Sequence, residues 1–169
     1  MSFDYSSFEQ EISNANDLSA TWMALQKLSK AIAGHKLFTV MTVDMDAGLA
    51  RRAFTSHPKD YPVSGTKPIL RDHWFDIVHG EKRSFVANTI ADIAKVFPDS
   101  KLIASLGCGS VLNLPVVLRG ALVATINMLD AEQHYTPARV AAAEAMLAIP
   151  AKLCVALAAQ FDTQSRMPD

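Results

Sequence analysis

The sequence has little cysteine and no excess of charge of either sign. Cys108 and Cys154 are the two cysteines among 169 residues, and neither belongs to a CxxC pair or a Cys/His cluster. This argues against a disulfide framework and against a structural zinc site. Lysine and arginine number 16 against 17 aspartate and glutamate, so the net charge is −1. A chain without a basic surface lacks the electrostatic signature of nucleic-acid or anionic-membrane binding, and we expect neither partner.

Signals for export and for membrane insertion are also missing. The first residues, Met1–Asp4, contain neither the basic region nor the apolar region of a signal peptide. The longest uncharged run, Leu102–Leu118, includes Gly107, Asn113 and Pro115, which suit turns and strands rather than a spanning helix. Because no apolar run is clean enough to cross a bilayer, we expect a cytoplasmic protein without a membrane partner.

Motifs for metals, cofactors and common catalytic constellations are absent as well. The five histidines show no HxH or HxxxH spacing, and His73 and His79 fall on different faces of a helix. Asp44–Gly48 begins like a calcium loop but has Thr55 where that loop needs its terminal glutamate, so a hairpin turn explains it. No Ser/His/Asp order or phosphate-binding glycine loop is present. We therefore expect no metal and no cofactor.

The length is that of one domain, and the elements predicted along the chain divide it into three parts. N-terminal helices are expected within about 6–33, including a short Ser6–Ser13 helix and a longer one that ends at Gly34. The sheet and pocket region covers about 36–130. A hairpin of Leu37–Val43 and Leu49–His57 opens it, and Pro58–Arg71 follows as one long ordered loop. Three short elements come next: a helix at Asp72–His79, a strand at Arg83–Val86 and a helix at Thr89–Phe97.

A second hairpin is predicted from Ser110–Leu118 and Ala121–Asp130, which meet at Arg119-Gly120. We predict a three-residue loop with Gly120 in a left-handed bulge, because this register gathers the apolar residues of both strands on one face. These residues are Leu112, Leu114, Val116 and Leu118 on one strand and Leu122, Ala124, Ile126 and Met128 on the other. The opposite, half-polar face then pairs Val111 with Asn127, Asn113 with Thr125, and Pro115 with Val123. Pro115 lacks the N–H that such pairing needs, a conflict that a local break or second bulge relieves.

The last helix is predicted at Pro137–Phe161, because Thr136 and Pro137 form a helix start signal. Two adjoining apolar stripes run along it, one through Leu147 and Cys154 and the other through Ile149 and Leu153. This is more apolar surface than one sheet face requires. We therefore expect one stripe on the sheet and the other against the first long helix and a second subunit, with a kink at Pro150.

Three segments, Leu106–Ser110, Leu112–Leu129 and Tyr135–Pro137, give the chain a resemblance to the GAF domain family. Upstream, Arg52–Ser56, Tyr61-Pro62 and Gly65–Pro68 look like features of small stand-alone bacterial GAF proteins. The resemblance covers nearly the whole chain, 1–169. It implies an α+β, PAS-related fold with an antiparallel sheet of about six strands. Terminal helices would lie on one face, and short helices and loops would cover a pocket on the other.

Two branches of the family with defined chemistry are not matched. The Asn-Lys-Phe-Asp-Glu signature of cyclic-nucleotide-binding members is absent. Free methionine-R-sulfoxide reductases hold the substrate amine with carboxylates, and those positions align with Val111, Asn127 and Leu129 here. Cys108 lies closer in sequence to Pro115 than the nucleophile of that branch lies to the matching proline, and Cys154 on the last helix is poorly placed to resolve it. We therefore assign no catalytic residue. Cys108 is the one residue that we consider for such a role.

The resemblance and the half-polar strand face together suggest a set of ligand-binding residues. The set is Arg52, Tyr61, Trp74, Cys108, Asn113 and Asn127.

Most members of this set have a structural alternative. Cys108 between two glycines is either a thiol activated by backbone amides or a small buried residue at a tight turn. Trp74 either stacks on a ligand or anchors the core. Arg52 either neutralises a ligand carboxylate or phosphate or forms a structural salt bridge. Asn113 and Asn127 either hold a ligand or tie loop amides to the sheet.

Three functions remain open. The first is a non-enzymatic sensory domain that binds a small molecule, an anionic metabolite being one candidate, and acts as a homodimer through its terminal helices. The second is a thiol-dependent enzyme related to free methionine-R-sulfoxide reductase and built on Cys108. The third is a structural module whose task is dimerisation. A sensor that also dimerises combines the first and the third, and we favour it.

Overall fold

Two antiparallel hairpins and two short edge strands form one six-stranded sheet in the order β3-β2-β1-β6-β5-β4. The computed structural model describes residues 3–164. The strands are β1 Leu37–Asp44, β2 Leu49–Thr55, β3 Lys67–Pro68, β4 Phe85–Ala87, β5 Ser110–Leu118 and β6 Ala121–Asp130. The helices are α1 Ser6–Asn14, α2 Leu18–Ile32, α3 His73–Phe75, α4 Ile90–Ala94, α5 Ser100–Ser105 and α6 Pro137–Gln164. A π-helical turn, Asp76–Gly80, continues α3. The α+β class and the antiparallel sheet of about six strands are confirmed, whereas 1–2 and 165–169 of the predicted single domain lie outside the described residues.

The terminal helices α1, α2 and α6 pack on one face of the sheet. Their apolar sides and the inward residues of β1, β5 and β6 share one buried cluster, which includes Trp22, Phe38, Ile126 and Leu147. The start of α2 is fixed by Asp17, whose carboxylate accepts a hydrogen bond from the backbone N–H of Ala20 at 2.7 Å. This layer closes the apolar face of the sheet, which leaves the opposite face for a cavity.

The end of α2 and the start of α6 follow the predicted signals. Gly34, at φ +75°, lies just beyond the C-terminus of α2, where only glycine adopts the left-handed conformation freely. Thr136 precedes α6, and its hydroxyl accepts a long hydrogen bond of 3.4 Å from the backbone N–H of Arg139. Both helix boundaries therefore come from local chemistry that the sequence displays.

Helix α6 has one buried stripe and one exposed stripe. Leu147 and Cys154 are completely buried, whereas Ile149 is 77% exposed and Leu153 is 42% exposed. Pro150 lies inside the helix. Within residues 3–164, Ile149 and Leu153 are thus left largely uncovered. On the side of Met146, Tyr5 donates a hydrogen bond to the carbonyl oxygen of that residue at 2.9 Å.

By length and composition alone, α6 is also apolar enough to cross a membrane. Pro137–Thr163 reaches a mean hydropathy of 1.8, and it is the one such helix within residues 3–164. We expected no apolar run that could cross a bilayer, and by length and composition this expectation is wrong. It was based on uncharged runs, and α6 is interrupted by the charged residues Glu144 and Lys152. In this fold the buried stripe of α6 belongs to the core that it shares with α2 and the sheet.

The predicted register of β5 against β6 is wrong by two residues. Arg119 and Gly120 both have positive φ, +53° and +80°, so they form a two-residue turn instead of a three-residue loop. The extra residue lies further along β6, at Val123, between the pairs Val116 with Ala124 and Val117 with Leu122.

This shifted bulge preserves most of the predicted faces but changes the partners. Val111 pairs with Leu129 and Asn113 with Asn127, and Pro115 pairs with Thr125, next to the bulge. The apolar residues from Leu112 to Val116 still share a face with those from Ala124 to Met128. Leu122, beyond the bulge, belongs instead to the cluster on the cavity side.

On the cavity side, several short elements differ from the predicted ones. Helix α5 has no predicted counterpart, and β3 pairs with β2 inside the predicted long loop. The predicted Asp72–His79 helix ends in a π-helical turn, and α4 ends at Ala94 instead of Phe97. Elements of three to six residues carry too little periodicity to fix their bounds from sequence.

Candidate functional site

A cavity of about 340 Å³ lies between the sheet and the segments that cover its second face. The strands β1, β5 and β6 supply its floor, with Thr39, Met41, Val111, Asn113, Thr125, Asn127 and Leu129. The cover comes from the 58–71 loop, from α3 and from the segment between α4 and α5, with Tyr61, Ile69, Trp74, Phe97 and Asp99 among others. Most of the lining side chains are apolar, which is typical of small-molecule sites.

A row of hydrogen-bonded side chains crosses the floor. Trp74 donates through Nε1 to Oδ1 of Asn113 at 2.9 Å, and Asn113 donates through Nδ2 to Oδ1 of Asn127 at 2.7 Å. Asn127 in turn donates through Nδ2 to Oγ1 of Thr39 at 3.1 Å. The row follows from register, because Asn127 pairs with Asn113 on one side and with Thr39 on the other. These bonds fix both amides and hold α3 over the floor.

Trp74 reaches this row because α3 begins at a defined residue. The carboxylate of Asp72 accepts a hydrogen bond from the backbone N–H of Phe75 at 3.0 Å, which caps the helix. Phe75 is buried and stacks on His79, with 4.4 Å between the ring centroids. The π-helical turn between them widens the backbone at this position, an irregularity that is frequent at functional sites.

Arg52, Tyr61 and Asp99 form a second polar group at the side of the cavity. The guanidinium carbon of Arg52 lies 3.7 Å from the centroid of the Tyr61 ring, and Nη1 donates to the carbonyl oxygen of Pro62 at 2.8 Å. Nη2 lies 4.0 Å from Oδ2 of Asp99, and the Tyr61 hydroxyl donates to the same carboxylate. Burial, together with the Asp99 carboxylate, raises the pKa of Tyr61 above its ordinary value. Arg52 therefore engages the chain itself, as in the structural alternative considered for it.

The floor also contains a buried hydroxyl group with no partner. Thr125 is fully buried, lines the cavity, and its Oγ1 has no hydrogen-bond partner among the described residues. The amide row stops at Thr39, on the neighbouring strand, and does not reach it. Buried polar groups without a partner are uncommon, and each calls for an explanation.

Cys108 lies near the cavity but does not line it. The side chain is 4% exposed and packs in the apolar cluster on the cavity side of the sheet, together with Leu37 and Ile103. Burial raises the pKa of the Cys108 thiol to about 11, and the charge of Asp130 acts in the same direction. A reactive cysteine needs the opposite environment, exposed and electropositive. Cys154 is completely buried in the other cluster, with its pKa raised by burial to about 12.

The structure thus gathers most of the candidate residues around one cavity. Arg52, Tyr61, Trp74, Asn113 and Asn127 line it, and Cys108 is the exception. Sequence reasoning omitted Thr39, Asp99 and Thr125 from the site. Thr125 was placed on the half-polar face by strand alternation, which was the available signal for it. Asp99 had no such signal, because its position depends on the unpredicted helix α5.

Within residues 3–164 no group of three or more histidine, cysteine, aspartate or glutamate side chains is arranged to hold a metal ion.

Comparison with known proteins identifies the fold. No family model and no curated protein matches the sequence. Among solved structures, the GAF domain of a two-component sensor histidine kinase from Bacillus halodurans aligns with a TM-score of 0.68 at 12% identity, over 88% of this chain and 99% of that one. The GAF domain of a phosphoenolpyruvate-protein phosphotransferase from Coxiella burnetii aligns with a TM-score of 0.65 at 17% identity, over 96% and 94%.

An enzyme shares the same architecture. The type II free methionine-R-sulfoxide reductase from Thermoplasma acidophilum aligns with a TM-score of 0.59 at 17% identity, over 85% of this chain and 92% of that one. At such identities the similarity establishes a common fold and leaves the function to be argued from the site.

Proposed function

We propose, from the GAF-domain fold of this chain, that it is a cytoplasmic sensory domain that binds a small molecule in the cavity and acts as a homodimer without catalysing a reaction. The observation that carries the proposal is the cavity itself: about 340 Å³ lined mainly by apolar side chains, with a few fixed polar groups on its floor. This volume lies at the lower end of the range for ligand sites, which favours a small ligand.

The position of Trp74 supports a binding role for the cavity. The indole is hydrogen-bonded to Asn113 on the floor, while α3 belongs to the cover. A ligand in the cavity changes the surroundings of the indole, which belongs to α3. Occupancy is thereby coupled to the cover of the cavity, which is what a sensor needs to transmit the presence of its ligand.

The thiol-dependent enzyme is the less favoured alternative. Cys108 is buried, has a raised pKa and does not line the cavity. Val111, Asn127 and Leu129, which align with the carboxylates that hold the substrate amine in the reductases, all line the cavity, and none is acidic. At these aligned positions the cavity therefore offers no carboxylate to hold an amine, and Cys108 does not line it as a nucleophile.

Homodimerisation through the terminal helices is supported by the exposed stripe of α6. Ile149 and Leu153 are four residues apart, so they lie on one face of the helix, and both are exposed. Large apolar side chains grouped on a helix surface mark an interaction site more often than singly scattered ones do. A purely structural dimerisation module would share this stripe but would have no use for the cavity.

Fluorescence of Trp74 provides the test of ligand binding. A panel of charged and uncharged small metabolites is titrated into the protein, and a Trp74→Phe variant controls for the signal of Trp22, which is buried in the other cluster. We expect at least one compound to change the emission of the wild type and to raise the melting temperature of the wild type. The emission of the Trp74→Phe variant should not change. If no compound in the panel does either, the sensory proposal is wrong and the structural module takes its place.

A further inference from the structure

The unpartnered hydroxyl of Thr125 indicates which chemistry the cavity accepts. Thr125 is fully buried, yet its Oγ1 finds no partner among the described residues. A buried hydroxyl without a hydrogen bond costs free energy, and that cost is removed when a partner arrives. Since this residue belongs to the cavity lining, the partner we consider for it is a molecule inside the cavity.

The other polar groups of the floor are already engaged with one another. Asn113 and Asn127 are held between Trp74 and Thr39 by three hydrogen bonds of 2.7 to 3.1 Å. A ligand that needs several new polar partners would have to break this row. A ligand with one hydrogen-bonding group finds Thr125 free and leaves the row intact.

The charges around the cavity balance and are largely used within the chain. Two cations, Arg52 and Lys67, and two anions, Asp72 and Asp99, belong to the lining. Arg52 stacks on Tyr61 and lies 4.0 Å from Asp99, and Asp72 caps α3. An anionic ligand would compete with Asp99 for Arg52 and would bring its charge onto an apolar floor, which is costly. An uncharged ligand meets neither penalty.

The remaining lining suits an aromatic ring. Trp74, Phe75 and Phe97 belong to the cover, and Met41 lies on the floor beside Thr125, with which it pairs across the strands. Aromatic rings pack well against one another and against methionine sulfur. A volume of about 340 Å³ holds roughly ten non-hydrogen atoms if each water-sized group takes about 30 Å³.

We infer that the cavity binds a small uncharged aromatic compound that carries a single hydroxyl or carbonyl group, and that this group hydrogen-bonds with Oγ1 of Thr125. The inference rests on the proposed sensory function and names the ligand class for the same cavity. It replaces the anionic metabolite that Arg52 suggested from sequence, because Arg52 is engaged with Tyr61, Pro62 and Asp99.

The test compares three probes of similar size on the purified full chain by calorimetry. They are 4-methylphenol, toluene, which lacks the hydroxyl, and benzoate, which is anionic. We expect 4-methylphenol to bind more tightly than toluene, and benzoate to bind more weakly than both. Thr125→Val should weaken 4-methylphenol binding by roughly two- to tenfold, the worth of one hydrogen bond, and leave toluene binding unchanged. Thr125→Ser keeps the hydroxyl and should retain wild-type affinity for 4-methylphenol.

Controls separate the hydroxyl at the cavity from a hydroxyl elsewhere. Ser29 is also fully buried with an unpartnered Oγ, but it lies in α2 and does not line the cavity, so Ser29→Ala should leave binding of all three probes unchanged. Thr125→Ala replaces the valine variant if the added methyl group prevents folding. Equal loss of 4-methylphenol and toluene binding in the valine or alanine variant would overturn the inference, as would no loss of either.

The outcomes also distinguish the ligand class from the sensory function. If benzoate or a charged member of the metabolite panel binds and changes Trp74 fluorescence while the uncharged probes do not, the inference is wrong and the sensory function stands. If neither charged nor uncharged compounds bind, both are wrong. Selective binding of 4-methylphenol that depends on the Thr125 hydroxyl supports both.

Discussion

The guanidinium of Arg52 lies over the ring of Tyr61, with 3.7 Å between the guanidinium carbon and the ring centroid. Arg52 belongs to β2 and Tyr61 to the covering loop, and Asp99, whose carboxylate accepts a hydrogen bond from the Tyr61 hydroxyl, precedes α5. Three segments distant in sequence therefore meet at one stacked and hydrogen-bonded group. This group attaches the loop to the sheet, so its stability decides how firmly the cavity is covered.

The ring of Tyr61 should contribute more to stability than its hydroxyl. Tyr61 is 9% exposed, so Tyr61→Ala removes a buried aromatic ring and should lower the free energy of unfolding by about 3 kcal/mol. Tyr61→Phe keeps the ring and the stacking of Arg52 and should cost about 1 kcal/mol, the net value of one hydrogen bond. Urea unfolding of both variants measures the two values. Equal losses would mean that the hydroxyl, and not the stacking, attaches the loop.

Stability should fall steeply in alkali because of two buried tyrosines. Burial raises the pKa of Tyr61 and of Tyr135 above the ordinary value of 10.0, so both remain protonated in the folded protein where the unfolded chain ionises. The unfolded state is therefore favoured as the pH rises above about 10, and the free energy of unfolding should decrease there. Tyrosinate absorbance recorded beside far-ultraviolet circular dichroism checks this. Ionisation of these two tyrosines without loss of helix would contradict it.

The two hairpins illustrate what can be predicted from sequence. Periodicity placed β5 and β6 at their observed bounds and assigned most residues to the right face, because apolar side chains on one face must be buried together. The partners across the strands were wrong because Arg119 adopts a positive φ, which is unfavourable for a residue with a side chain. The tertiary fold overrides that local cost and moves the bulge to Val123.

The site was predictable where strands supply it and unpredictable where short helices do. Asn113 and Asn127 lie on the floor because alternation along a strand fixes their direction. Asp99 precedes a six-residue helix that has no clear periodicity, so its approach to Tyr61 depends on tertiary packing. For Cys108, which lies between two glycines, the sequence left an activated thiol and a small buried residue open, and the apolar cluster on the cavity side of the sheet buries it.

Substitution of Gly109 should destabilise the protein through Glu132. A Cβ at position 109 would lie 2.3 Å from Cγ of Glu132, whose carboxylate accepts a hydrogen bond from the backbone N–H of Ile90 at the start of α4. Gly109→Ala should therefore cost about 1–2 kcal/mol in the free energy of unfolding, from overpacking and a lost helix-terminal bond. Gly65→Ala is the matched control, because no atom lies within 4 Å of its added Cβ. Thermal unfolding should separate the two variants, and equal melting temperatures would refute the proposed clash.

The exposed stripe of α6 should control the oligomeric state. Light scattering of the wild type at micromolar concentration should return twice the monomer mass of 18.4 kDa. Ile149→Glu places a charge at a residue that is 77% exposed in the single chain, and it should weaken the dimer at least tenfold without unfolding the monomer. Val63→Glu, at a 58% exposed position in the covering loop, should leave the dimer intact. A wild-type monomer, or dimers in all three proteins, would exclude α6 as the interface.

Cysteine chemistry provides the last prediction, because it separates a binding domain from a thiol enzyme. Cys108 is 4% exposed and Cys154 is fully buried, and burial raises the pKa of each thiol, to about 11 and about 12. Alkylation requires both access and the thiolate, so iodoacetamide should leave both cysteines unmodified in the native protein and modify both in urea. Mass spectrometry after peptide digestion reports each site separately, with Cys154 as the internal reference for a core thiol. Rapid native modification of Cys108 alone would show that it is open and activated, and the enzyme alternative would then replace the sensory proposal.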